Sequence, residues 1–128
     1  TSMRELPVSQ LARLTKIDYD RAMAFIATQT GPDGKPETLG VVRAVADPDN
    51  IHADFAIAVR SALKAKGLGH ILFEKLVDYF RSRGTEALVG EAMARNKGMQ
   101  RLVKSFGGEV TPSEEPGVVN LHIGLRAP

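Results

Sequence analysis

The chain has 128 residues, 43% apolar and 25% charged, which is the size of one ordinary domain. With no Cys, a disulfide framework, a thiolate metal site and a cysteine nucleophile are all excluded. Seventeen Lys and Arg against fifteen Asp and Glu leave a net charge of +2, too near neutral to indicate a nucleic-acid surface, and no apolar run approaches the ~18 residues of a membrane span.

The elements follow from spacing. Leu11, Leu14 and Ile17 recur at helical intervals after Ser9, a capping residue, and predict a short helix over 9–17. Residues 22–27 read as a strand. The turn cluster Gly31-Pro32-Asp33-Gly34 joins it to a hairpin partner over 38–45, which Asp47-Pro48-Asp49-Asn50 ends. A third strand over 54–59 puts Phe55, Ile57 and Val59 on one face and Asp54, Ala56 and Ala58 on the other, so one face is bulky and the other nearly bare. Leu68, Ile71, Leu72, Leu76 and Phe80 mark an amphipathic helix that stops at Arg83-Gly84. Residues 87–93 are the next strand, and Met99, Leu102, Val103 and Phe106 space a second helix ended by Gly107-Gly108. A strand over 118–125 closes the series. The order predicts an α/β layer with a strand-helix-strand crossover at its centre.

Between the third strand and its helix, residues 60–70 bring two glycines and the cations Arg60, Lys64 and Lys66 to a helix start, where backbone N–H groups favour an anion such as phosphate. The spacing fits neither a P-loop nor the dinucleotide fingerprint, which needs a third Gly where Leu72 stands. The same residues also suit a plain turn with a solvated cationic surface.

Val59 through Gly69 resembles the acyl-CoA signature of the GNAT family of N-acetyltransferases, and Asn96 followed by Met99, Leu102 and Gly107 is similar to that family's second motif. Residues 17–25, 53–56 and 114–119 look like the acetyltransferase domain of bacterial protein lysine acetyltransferases, enzymes that commonly carry a large ADP-forming acyl-CoA-synthetase-like region ahead of it. The resemblance implies a mixed, mostly antiparallel sheet with helices on both faces, lacking the fold's first strand. It also implies a single domain over 1–128, which the opening Thr1-Ser2-Met3 suggests is a piece of a longer protein. Acetyl-CoA is the implied cosubstrate, with no metal. Its pantetheine arm would lie along Ile57, Ala58 and Val59, and its pyrophosphate against Lys64, Ala65, Lys66, Gly67, Leu68, Gly69 and His70; Asn96 and Met99 would complete the cofactor contacts. Lys64 stands where the family has Gln or Arg, and Val103 where many relatives place a Tyr that protonates the departing thiolate. The implied acceptor is a protein lysine, for example on an AMP-forming acyl-CoA synthetase; the near-neutral charge and the lack of a membrane-span or signal-peptide pattern predict no nucleic acid or membrane as partner and a cytoplasmic location. A small-molecule amine acceptor, and a non-catalytic acetyl-CoA sensor, are the alternatives.

Direct transfer needs a neutral amine, whereas lysine is protonated below pH ~10.4, so a positioned carboxylate is the expected base. Asp54 is the first candidate, at a position where the resembling enzymes have Glu; Glu91 is the second, in an apolar strand whose burial would raise its pKa. Asp54 also suits a strand-start hydrogen bond, and Glu91 an ion pair with a nearby Arg. His52 and His70 lack partners at metal-ligand spacing.

Overall fold

The alternation seen in the third strand recurs across a seven-stranded sheet. The computed structural model describes residues 13–18, 21–60 and 67–126. In chain order its elements are β1 (Arg13–Asp18), β2 (Ala22–Thr30), β3 (Pro36–Ala46), β4 (His52–Val59), α1 (Leu68–Ser82), β5 (Ala87–Met93), α2 (Lys97–Ser105), β6 (Glu109–Pro112) and β7 (Val118–Gly124). The strands lie in the order β1-β2-β3-β4-β5-β7-β6. All neighbours are antiparallel except β4 and β5, which are joined by α1 as the predicted crossover.

One face of the sheet carries the core. Met23, Phe25 and Ala27 of β2, Val42 and Ala44 of β3, Ala53 and Phe55 of β4, Leu88 of β5, and Leu121 and Ile123 of β7 are buried there. Helix α1 lays Leu68, Leu72, Phe73, Leu76, Val77 and Phe80 on them, and α2 adds Val103. A Cβ at Gly40 would stand 3.0 Å from Leu72 and one at Gly108 would stand 2.6 Å from Val103 and 2.7 Å from Ile123, so both helices sit on the same side. The expectation of helices on both faces is therefore corrected: among the described residues the opposite face, with Arg43, Asp54, Ala56, Ala58 and Glu91 exposed, has no helix over it. Periodicity shows that a helix is amphipathic, not which side of a sheet it meets.

The segment read as a helix over 9–17 is corrected too. Arg13–Asp18 pairs antiparallel with β2, from Arg13 opposite Thr28 to Asp18 opposite Met23, and residues 9–12 lie outside the described residues. The edge of β2 supplies a ladder of hydrogen bonds that a short segment containing β-branched Thr15 and Ile17 takes in preference to an isolated turn or two of helix. The sheet thus has an edge strand beside β2, where the sequence reading expected none. Strand β6 was not anticipated either, because its four residues hold a single apolar side chain, Val110.

The β3–β4 turn sets where β4 begins. The Asp47 carboxylate accepts the Ile51 N–H at 2.8 Å and the His52 N–H at 3.2 Å. The first of these, with the second, holds Asp47 below the usual carboxylate range against a smaller opposing effect of burial. Asn50 accepts the buried Thr85 hydroxyl at 2.7 Å and donates to the Arg83 carbonyl at 2.9 Å, tying this turn to the one before β5.

Gly108 shows how tight the α2 side is. A Cβ there would come within 2.8 Å of the His122 carbonyl oxygen, which is backbone and cannot turn aside. Gly108→Ala is expected to cost about 1–3 kcal/mol of stability, read as a lower urea midpoint with unchanged slope.

Candidate active site

Strands β4 and β5 pair only from His52 opposite Ala87 to Asp54 opposite Val89, and then part. Phe55 stands at the divergence: a Cβ at Gly90 of β5 would meet its ring at 3.0 Å and its carbonyl oxygen at 3.2 Å. Along β4 the Arg60 N–H bonds the Leu39 carbonyl of β3 at 2.9 Å. Backbone groups alternate sides along a strand, so those of Ile57 and Val59 point away from β3 into the space that β5 has left. An extended arm with amide groups can lie there as a substitute strand.

On the helix side this space widens into a cavity of about 570 Å³. Its walls are Ile57, Ala58 and Val59 of β4, Gly69 and His70 at the start of α1, and Asn96, Gly98, Met99, Arg101, Leu102 and Ser105 along α2. At one end, α1 begins on Gly67, whose φ of 82° is the left-handed conformation that glycine adopts without strain. No side chain caps that helix among the described residues and its first turn holds no acidic residue, which leaves N–H groups and a positive dipole end facing the cavity. His70 stacks on Phe106, ring centroids 4.8 Å apart, and so joins the α1 wall to the α2 wall.

The sequence-derived cofactor residues divide as follows. Ile57, Ala58, Val59, Gly69, His70, Asn96 and Met99 come together in the cavity wall; Gly67 and Leu68 form the helix start beside it, with Leu68 turned into the core. Lys64, Ala65 and Lys66 lie outside the described residues. Arg60, expected to serve the loop, is paired with Glu37 at 3.2 Å. Asn96 uses its side-chain oxygen to accept the Met99 N–H at 3.1 Å as the cap of α2, which leaves its amide N–H groups as the part able to meet a ligand carbonyl. Val103 is fully buried in the core and is not part of the cavity wall.

Two polar residues of the wall escaped the sequence reading, Arg101 and Ser105. They lie on a helix read as core, and their fourfold spacing along α2 was the available signal. Arg101 is exposed and stands at the α2 wall, where a guanidinium can meet phosphate oxygens. Arg101→Ala is expected to weaken binding of acetyl-CoA about tenfold, and of a phosphate-free acetyl-pantetheine hardly at all, by calorimetry.

Asp54 and Glu91 are both exposed and both on the helix-free face, on either side of the divergence. The apolar burial expected around Glu91 is absent, because period two in β5 turns Leu88 and Gly90 to the core and Val89 and Glu91 outward. Among the described residues the Asp54 side chain has no hydrogen-bond partner in the β3–β4 turn; Asp47 accepts the Ile51 and His52 N–H groups there. His52 and His122 lie on the same face with rings 6.5 Å apart, and no cluster of metal ligands occurs among the described residues.

The model of the acetyltransferase (GNAT) family matches residues 4–107, and the chain belongs to that family. An acetyltransferase of Pseudomonas aeruginosa is 26% identical over 120 residues, 92% of this chain and 64% of that protein, so the chain spans less than two-thirds of this relative's length. The GNAT domain of S. lividans PAT superposes with a TM-score of 0.69 at 24% identity, covering 87% of this chain and 65% of that one. The Campylobacter jejuni N-acetyltransferase PseH in complex with acetyl coenzyme A superposes with a TM-score of 0.63 at 17% identity, covering 84% and 71%. These structural likenesses are likenesses of fold. Of this chain itself, the comparisons show membership of the acetyltransferase (GNAT) family.

Proposed function

We propose that this chain transfers the acetyl group of acetyl-CoA to the ε-amine of a lysine on a protein, with Asp54 as the base and an AMP-forming acyl-CoA synthetase as acceptor, in the cytoplasm. One observation carries the reading. The parting of β4 and β5 connects a cavity on the helix side with a face that bears two exposed carboxylates, Asp54 and Glu91. With the cosubstrate on the helix side, the amine can reach the thioester only from the other. There one carboxylate can hold the ammonium while Asp54, directly or through a water, takes its proton. Orientation of amine and thioester then supplies most of the rate, and the inward backbone N–H groups of β4 can polarise the thioester carbonyl.

A broad face suits a protein surface better than a small amine, which gains from enclosure. Ala56 and Ala58 expose no bulky side chain beside Asp54, so a long lysine arm can descend to the strand. The resemblance to bacterial protein lysine acetyltransferases supports the acceptor class. The test is transfer of labelled acetyl from acetyl-CoA to an AMP-forming acyl-CoA synthetase. Label on one lysine supports the reading. Acetyl-CoA binding with label on no protein and on small amines overturns the acceptor class, and binding with no transfer to any amine overturns catalysis.

A further inference from the structure

On the helix-free face a third charged side chain borders the divergence. Arg43 of β3 stands directly opposite Ala56 of β4 and one diagonal step from Asp54, whose partner is Val45. On its other side Arg43 faces Ala24 of β2, another small residue, so its surroundings are low. Arg43, Asp54 and Glu91 are all exposed, and none of them joins the three ion pairs found among the described residues. Opposite charges at diagonal positions of one sheet face ordinarily find each other. Here Arg43 and Asp54 form no ion pair, and the planar fork of an exposed guanidinium on this face is available to a carboxylate.

We propose that Arg43 selects the acceptor, binding a carboxylate that lies one or two residues from the acetylated lysine. The inference rests on the protein-lysine reading and names the acceptor's local chemistry. Two carboxylates at the divergence match one ammonium; the additional cation on the β3 side matches an acidic side chain carried by the same peptide. Because β3 and β5 flank β4, Arg43 and Glu91 stand on opposite sides of the lysine's path, so charge alone sets which way the peptide lies.

The experiment compares acetylation of three blocked peptides that share a central Lys flanked by Gly, Asp or Arg, using this chain, Arg43→Ala and Arg43→Glu, with acetyl-CoA binding followed by calorimetry. An exposed guanidinium–carboxylate contact is worth about twofold to fivefold, so the native chain is expected to show a KM that much lower for the Asp peptide at equal kcat. Arg43→Ala removes the difference, and Arg43→Glu transfers the preference to the Arg peptide. Equal KM for the three peptides with the native chain overturns the proposal and leaves the lysine reading standing. A fall in kcat common to all three peptides in the Arg43 variants also overturns it, since Arg43 would then act on Asp54. A preference for free lysine over lysine amide, with none among the peptides, assigns the carboxylate to a free amino acid and overturns it as well. Binding of acetyl-CoA without turnover of any peptide removes the lysine reading and this proposal together.

Discussion

Asp54→Asn is expected to lower acetyl transfer about 10²–10⁴-fold, the range that a positioned base contributes. The Asp54 side chain faces away from the helices, whereas the cavity is walled by Ile57, Ala58 and Val59 and by the two helices. Acetyl-CoA affinity, measured by calorimetry, should therefore be retained. Asp54→Glu restores a carboxylate one methylene longer and is expected to keep most of the activity. Glu91→Gln separates the two carboxylates: a rise in KM with kcat retained identifies Glu91 as the group that holds the ammonium, whereas loss of kcat equal to that of Asp54→Asn exchanges their roles. Raising the pH toward ~10 increases the neutral fraction of a lysine, so the Asp54→Asn enzyme should recover rate with pH more steeply than the native one.

Phe73→Ala is expected to cost about 3–5 kcal/mol, a large share of the ~5–15 kcal/mol that holds a domain of this size, and to show as a much lower urea midpoint. Phe73 is fully buried on α1. Its ring meets Phe55 of β4 edge-to-face at 5.0 Å and Phe106 after α2 at 5.2 Å, and Phe106 in turn stacks on His70 in the cavity wall. One aromatic side chain thus fixes both helices to the strand that diverges. Phe73→Leu keeps much of the volume and should cost less than half as much. In either variant acetyl-CoA binding should weaken beyond what the unfolded fraction explains, because Phe55 and Phe106 lose the ring that sets their positions.

Most of the elements that carry the site were legible because their side chains alternate or recur. Phe55, Ile57 and Val59 announced a strand with a bulky face, and Leu68, Leu72, Leu76 and Phe80 announced α1; both occur as read. Arg13–Asp18 misled because Leu14 and Ile17 suit a helical stripe, and only the presence of the β2 edge made a strand the better use of their backbone. Glu91 misled because its neighbours Leu88 and Met93 are apolar, yet it sits on the outward phase of the strand.

By itself the amino-acid order determined the α/β layer, the glycine start of α1 and the two carboxylates, since propensity, capping and period-two alternation act within a few residues. Tertiary structure decided where β4 and β5 part, that both helices share one face, and that Arg101 lines the cavity while Arg43 lies on the same face as the two carboxylates. Those outcomes depend on contacts between residues far apart in sequence, such as Phe55 against Gly90 and Phe73 against Phe106. Burial and close packing select among such contacts only after the chain has folded, so no local pattern records them.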